Sequence, residues 1–289
     1  MDDLFISEFS ATKALKRPLF TAQKSPIVEK LRVWAYRGFI SGSVKREFQA
    51  KYRHSLLGAV WTVLNPLALI VVYTVIFSQV MRTRLPGAES SFAYSIYLCA
   101  GILTWGLFSE ITLRAQTVFL DNANLLKKVS FPRFCLPIIV ILNASVNFAI
   151  IFALFTLFLL ISGNFPGWLY FAIFPLLLLQ IMFSIGIGMI LGVVNVFFRD
   201  VGQFFGILIQ FWFWFTPIVY SPTILPEEVR GFIAYNPMAA LIGAYQRILV
   251  NQQAPDWLAL LPLTLGAIAL CLLGLQLFRK RVGEIVDEL

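Results

Sequence analysis

Six uncharged or nearly uncharged stretches recur along the chain, each of about 20 residues or more, enough to cross a hydrocarbon core of roughly 30 Å as a helix. They occupy residues 60–80, 92–113, 136–161, 168–197, 201–220 and 257–278. The second carries one charge, Glu110. The fourth is the longest, which predicts tilt or a start in the interface near Pro175. The pattern predicts an all-α membrane protein with six transmembrane helices. Between the fifth and sixth spans, apolar pieces at 225–235 and 237–250 are too short to cross. Runs of that length suggest two re-entrant or interfacial half-helices. Asn236-Pro237 separates them as a helix-breaking pair. An ordinary outer loop and an external gate are both open readings of this segment, 221–256.

Ahead of the first span the pattern changes to one-sided. Ile27, Leu31 and Trp34, then Ile40, Val44 and Phe48, fall on a helix face flanked by Lys30, Arg32, Arg37, Lys45 and Arg46. Ser25 can cap this helix, Pro26 suits its first position, and Glu29 favours its N-terminal dipole. A basic amphipathic helix of this kind is expected in the cytoplasmic interface, as an anchor or as a docking surface. The segment 121–133, DNANLLKKVSFPR, is a compact charged element between spans two and three. Asp121 or Asn122 is expected to cap a short helix there, ending before Phe131-Pro132. Such an element suits the reception of force from a soluble motor, or it is a plain turn. The chain thus divides into a tail at 1–25, an interface helix and lead-in at 26–58, a six-span domain at 59–278 and a C-terminal tail at 279–289.

Composition and charge fix the setting and the orientation. Apolar residues make up 59% and charged residues 13% of the 289-residue chain, against about 45–50% and 25% in soluble domains. A soluble enzyme, a disordered chain and a disulfide scaffold are excluded. Nineteen of the 23 basic residues fall before span one, between spans two and three, between four and five, or after six. Only Arg82, Arg84, Arg230 and Arg247 fall on the other side. The positive-inside rule makes the basic side cytoplasmic and places both termini there. The net charge of +8 is then a topology signal and a contact for anionic membrane lipids, and needs no nucleic acid. The chain lacks a basic start followed by a short apolar run, so its first span is expected to direct it to the membrane.

Catalytic chemistry is missing. Cys99, Cys135 and Cys271 lie in or beside apolar runs without CxxC spacing and read as packing residues. His54 is the only histidine, so no metal site is expected. The sequence has no phosphate-binding GxxxxGK[ST] run, no GxSxG and no HExxH. Glu110 precedes Arg114 by four residues, and the two are expected to pair on one helix face. A proton relay would need a second intramembrane acid or histidine. The energy for any transport is therefore expected from another chain.

Span five reads VGQFFGILIQFWFWFTPIVY. On a helical wheel Gln203, Gln210 and Trp214 share a face, and Phe204, Phe211 and Phe215 form the adjacent stripe. Gly202 and Gly206 lie roughly opposite, where small residues permit close packing. Spanning glutamines need partners or water. Aromatic faces stack on sugar C–H groups while amides bond hydroxyls. Span one offers Thr62, Tyr73 and Phe77 on a common face. From these residues alone, pore lining and apolar packing remain equally open.

The order of several runs carries a resemblance: YRHSLLGAVWTVLNPL at 52–67, NLLKKVSFPR at 124–133, LP at 136–137, VNVFFRDV at 194–201, TPIVYSP at 216–222 and YNPMAALIGAYQ at 235–246. From about residue 32 to 281 the chain resembles the permease subunits of ATP-binding-cassette exporters for O-antigen, teichoic acid and related polysaccharides. The resemblance implies a homodimer paired with two ATPase subunits, which would carry ATP and Mg while this chain binds no cofactor. It implies a lipid-linked polysaccharide, O-antigen first, crossing a bacterial cytoplasmic (inner) membrane between the two copies. The aromatic lining it implies falls on Tyr73, Phe77, Phe211, Trp214 and Phe215; face sharing adds Thr62 and Gln210. The coupling element maps to Asn124, Leu125, Lys127, Lys128, Pro132 and Arg133. The interface helix maps to about 27–49, with Trp34, Arg37, Lys45 and Arg46. The external gate maps to 225–250, with Pro226, Asn236, Pro237 and Tyr245. The alternatives are a type-2 permease for teichoic acid, capsule, a drug, haem or another amphipathic lipid, and a membrane glycosyl- or acyltransferase. The last lacks its catalytic acids here, and the chain carries no large external domain. Residues 1–25 have no counterpart in the resemblance.

Overall fold

A computed structural model describes residues 36–52, 60–76, 92–128 and 132–288. The chain divides into the units Met1–Gly38 and Phe39–Leu289, and the second holds the fold described below. Its helices are α1 (Arg37–Tyr52, begun in the first unit), α2 (Trp61–Thr74), α3 (Ala93–Asp121), α4 (Ala123–Lys128), α5 (Cys135–Ile161), α6 (Ile173–Phe197), α7 (Asp200–Trp214), α8 (Glu227–Ala234), α9 (Pro237–Leu249) and α10 (Leu261–Glu288). No strand occurs among the described residues. Ser25 to Trp34 of the expected interface helix, and its lead-in at 53–58, lie outside the described residues.

Among the described residues, four helices are long and apolar enough to cross a membrane: α3, α5, α6 with its leading 3-10 turn (Gly167–Ala172), and α10. Two expected boundaries move outward. Helix α3 runs through Glu110 and Arg114 to Asp121 rather than stopping near 113, and α10 continues past Phe278 to Glu288. Helix α2 is seen for 14 residues, and the rest of the expected first span, 77–80, lies outside the described residues.

The expected fifth span is shorter than its apolar run. Helix α7 has 15 residues and ends at Trp214, not at Tyr220. At 1.5 Å per residue it is about 22 Å long. The cause is Thr216-Pro217: proline lacks an N–H and disfavours the helical conformation in the residue before it. Pro175, by contrast, is the third residue of α6, where the missing N–H costs nothing.

Helix α6 is the centre of the bundle, packed between α3 and α10. Three glycines let the backbones meet. A Cβ on Gly188 would lie 2.5 Å from the Ala115 Cβ, and one on Gly192 would lie 2.6 Å from the Ala115 carbonyl oxygen of α3. A Cβ on Gly186 would lie 2.9 Å from the Leu270 Cβ of α10. In lipid, helix association rests on such close van der Waals packing rather than on a hydrophobic drive. One apolar cluster, with Phe108, Phe155, Leu176, Phe183, Ile218, Met238 and Tyr245, joins α3, α5, α6 and α9. A second, with Phe119, Leu126, Leu136, Val193, Phe278 and Ile285, gathers at the basic end around α4 and the last turns of α10.

Candidate translocation surface and coupling elements

Helix α7 presents one open face. Phe204, Ile207, Leu208, Phe211, Trp214 and Phe215 are 41–68% exposed, and Gln203 and Gln210 are exposed beside them. At 100° per residue these eight positions span an arc of about 160°. Phe205 and Ile209, on the opposite side, are buried. The aromatic stripe is therefore not core packing within one protomer. Gly202 sits against the Asn195 side chain, where an added Cβ would meet the amide oxygen at 2.9 Å. Gly206 faces open space, so the close packing expected there is absent.

Asn236 sets how this face ends. Its side-chain oxygen accepts from Trp212 Nε1 at 2.9 Å and from the Met238 N–H at 3.0 Å. Its amide nitrogen donates to the Phe215 carbonyl at 3.2 Å and to Thr216 Oγ1 at 3.0 Å. The expected breaker pair Asn236-Pro237 is thus the N-cap and first position of α9. By holding Trp212 inward, it leaves Phe211, Trp214 and Phe215 outward. The non-helical strap beyond α7 is fastened to α3: Tyr94 Oη donates to the Val219 carbonyl at 2.5 Å, and Tyr97 Oη donates between the carbonyls of Pro217 and Tyr220 at 3.0 and 2.9 Å. Gln246 Nε2 of α9 donates to the Tyr97 carbonyl at 3.3 Å. Arg230 of α8 donates to the carbonyls of Leu225 and Thr223 at 2.9 and 2.7 Å.

Other expected site residues are placed as follows. Tyr73 is half-buried and packs on the core cluster of α3, α6 and α9. The Thr62 side chain and Phe77 lie outside the described residues. Pro226 leads into α8 and is exposed. Tyr245 is fully buried beneath the outer helices, so it is a core residue of that end rather than a surface one.

At the basic end α4 is the short helix expected from 121–133, but neither expected residue caps it by side chain. Asn122 Nδ2 turns back to the Val118 carbonyl at 2.8 Å, and Asp121 Oδ2 accepts from Thr117 Oγ1 at 2.7 Å. Both serve the end of α3 instead. Asn124 and Lys127 are exposed, and Leu125 packs on the second apolar cluster. The Lys128 side chain is outside the described residues. Pro132 and Arg133 are half-buried, and Arg133 Nη1 donates to the Val282 carbonyl of α10. Helix α4 itself meets the C-terminal helix through Leu126, which shares the second apolar cluster with Phe278 and Ile285. In α1, Arg37, Lys45 and Arg46 are exposed, while Trp34 lies outside the described residues. Glu110 and Arg114 pair as expected at 3.5 Å.

Residues the sequence reading passed over include Gly188 and Gly192, although GMILG is a visible small-xxx-small pattern. Asn195 was passed over too: its Nδ2 donates to the Gln116 carbonyl at 3.0 Å and its Oδ1 accepts from the Gly202 N–H at 2.9 Å, pinning the α6–α7 turn to α3. Among the described residues no cluster of three metal-ligating side chains occurs.

Comparison with known proteins adds the following. Residues 40–250 match the family profile described as ABC-2 type transporter. The chain is 32% identical over 260 residues to the O-antigen export system permease protein RfbA of Myxococcus xanthus, covering 89% of this chain and 97% of that one. It is 30% identical over 246 residues to the protein of the same name from Klebsiella pneumoniae, covering 83% and 92%. It is 23% identical over 242 residues to the polysialic acid transport protein KpsM of Escherichia coli, covering 82% and 90%.

Proposed function

The chain belongs to the ABC-2 type transporter family, and on that premise we propose that it is the permease subunit of an exporter of lipid-linked polysaccharide, O-antigen first. Two copies form the pathway in a bacterial cytoplasmic membrane, and two separate ATPase subunits supply the energy and hold ATP and Mg. The chain crosses six times with both termini in the cytoplasm; α2 and α7 complete the spans that α3, α5, α6 and α10 begin. The last turns of α10 lie with α4 at the basic end. Trp168, Phe171 and Trp257 stand exposed at the other, as an aromatic belt at the outer interface would. Helices α8 and α9 form the external gate, and α4 with α1 receives the ATPase.

The observation that carries the proposal is the mixed face of α7. Apolar side chains can face lipid at no cost, but a side-chain amide in hydrocarbon without a partner costs on the order of 2–7 kcal/mol. Gln203 and Gln210 are exposed on the same arc as Phe204, Phe211, Trp214 and Phe215. A face that needs both water-like partners and aromatic stacking suits a passing glycan better than lipid tails. The names of the Myxococcus and Klebsiella relatives support O-antigen as the cargo. The KpsM relative favours a second reading, a capsular polysaccharide.

The test is Phe211→Ala combined with Trp214→Ala in a strain lacking the native copy. Surface glycan should fall at least about tenfold while the membrane level of the protein and its association with the ATPase hold; a tenfold change corresponds to 1.4 kcal/mol in a barrier. Normal surface glycan in that variant refutes the pathway assignment. Identifying the glycan retained in cells without the protein separates O-antigen from capsule.

A further inference from the structure

Glu47 of α1 is bound from two other helices at once. Its carboxylate pairs with Arg114 of α3 and accepts from Asn143 Nδ2 of α5. Arg114 also pairs with Glu110 at 3.5 Å, and Asn147 Nδ2 of α5 donates to Glu110 at 2.9 Å. Five polar side chains from three helices thus form one network, with two carboxylates around one guanidinium. The side chains of Arg114, Glu47 and Glu110 are 34%, 43% and 27% exposed, so the network is partly shielded from solvent. A charge at that depth persists when it is paired, and removing one member leaves the others uncompensated.

Apolar contact holds α1 far less firmly. Among its described side chains only Ile40 is buried. A groove of about 500 Å³, lined by Val44, Lys45 and Phe48 of α1 and by Leu142 and Val146 of α5, lies between the two helices. Movement of α1 would be absorbed in that groove unless a directional contact passed it on. The network at Glu47 is such a contact, and α3 carries it onward. From Arg114 to Tyr97 is 17 residues of one unbroken helix, about 26 Å at 1.5 Å per residue. At its far end Tyr94 and Tyr97 hold the strap that follows α7.

We infer that the Glu47–Arg114 pair is the joint through which displacement of α1 reaches the outer strap, with Arg114 as a positioning residue of the transport cycle. The inference rests on the reading of the chain as an ATP-driven permease but not on the identity of the glycan. Its substance is a mechanical path: α1 to Arg114, along α3, to the carbonyls of Pro217, Val219 and Tyr220.

The test uses the full permease–ATPase complex in liposomes and needs no glycan. Cys99, Cys135 and Cys271 are replaced by alanine, and Ile207→Cys reports on the open face of α7 by its rate of reaction with a soluble maleimide. With the joint intact, ATP should change that rate about fivefold or more, the scale of a typical coupling between sites. Glu47→Arg or Arg114→Glu alone should abolish the response while co-purification with the ATPase and basal ATP hydrolysis persist. The double exchange keeps two carboxylates and one guanidinium in the joint, and should restore at least half of the response. Single variants that respond as the parent does, a parent that does not respond, or an exchange that fails to restore would each overturn the inference. Should a charge reversal fail to assemble, Glu47→Gln keeps an acceptor for Asn143 and removes only the ion pair. It should assemble and lose the response, and a full response there also overturns the inference. Loss of glycan export with an intact labelling response would count against the proposed cargo and leave the joint standing.

Discussion

Replacing Asn236 by alanine removes four hydrogen bonds that fasten the end of α7 to the start of α9. Losing the N-cap of α9 costs about 1 kcal/mol. Leaving the half-buried Trp212 indole N–H without its acceptor costs about 1–3 kcal/mol more. The two donations from Asn236 count for less. Phe215 is an exposed residue, and the Thr216 hydroxyl keeps its own bond to the Trp212 carbonyl at 2.7 Å. The expected loss is therefore about 2–4 kcal/mol, which for a chain of this size lowers Tm by roughly 4–16 °C. The assay is the fraction of monodisperse detergent-solubilised protein left after heating. Asn236→Asp keeps both acceptor roles but sets an oxygen against the Phe215 carbonyl and Thr216 Oγ1, so it should fall between the parent and the alanine variant. In a Trp212→Phe background the cost of Asn236→Ala should shrink by about 1–3 kcal/mol, since the orphaned donor is gone. An Asn236→Ala protein melting with the parent, or an aspartate variant as weak as the alanine one, would refute the assignment of this side chain as the α7–α9 staple.

Gly188→Ala should destabilise by about 1–3 kcal/mol, because its new methyl must displace Ala115 and part α6 from α3. Gly206→Ala, with open space around it, should be neutral or gain about 0.5–1 kcal/mol from helix propensity, and the same heating assay separates the pair. Tyr97→Phe removes the donor shared by the Pro217 and Tyr220 carbonyls and should cost about 1–3 kcal/mol, with faster proteolysis of the outer strap as a second readout. Lys127→Glu, on the exposed surface of α4, should move stability by no more than about 0.5 kcal/mol yet reduce co-purification of the ATPase subunit; unchanged capture would remove α4 from the docking surface.

The apolar runs coincide with the four long apolar helices among the described residues, because continuous hydrophobicity over about 20 residues has few other structural outlets. Their ends were less legible for a physical reason. A hydropathy run counts side chains, while a helix ends where backbone groups find other partners. Phe215 to Tyr220 is as apolar as the helix before it, but proline at 217 and the hydroxyls of Tyr94 and Tyr97 take those carbonyls elsewhere. Conversely, the second apolar run stops at 113 and the sixth at 278, yet helix continues past both, to Asp121 and Glu288, once charged side chains begin. The i,i+4 rule found Glu110–Arg114 but not Glu47, whose partner is 67 positions away in sequence. A helical wheel for α7 gives which positions share a face and says nothing of what covers it. Sequence spacing fixes angles around a helix axis, and only packing shows that Phe205 and Ile209 turn inward while Phe204 and Phe211 do not.

The strap and the two short helices bear on whether 215–250 is a loop lying on the membrane or a segment entering it. Backbone that leaves helical geometry at membrane depth is tolerated only where it is buried in protein or lines water, with its polar groups satisfied. The strap meets that condition. Pro217, Ile218 and Thr216 are buried, and the carbonyls of Phe215, Pro217, Val219 and Tyr220 each accept a side-chain donor from α3, α9 or Asn236. Helix α9 is buried through Met238, Leu241, Ile242, Tyr245, Ile248 and Leu249, as a helix inside a bundle would be. Helix α8 is the opposite, exposed along Val229, Phe232 and Tyr235, with Glu227 and Glu228 in its first turn. One inserted half-helix and one half-helix at the rim fit these burials better than two equivalent re-entrant arms. On the proposed gate reading, α9 and the strap then form one outer wall fastened to α3 through Tyr94, Tyr97 and Gln246, so that a displacement of α3 carries them together, while α8 lies exposed at the rim.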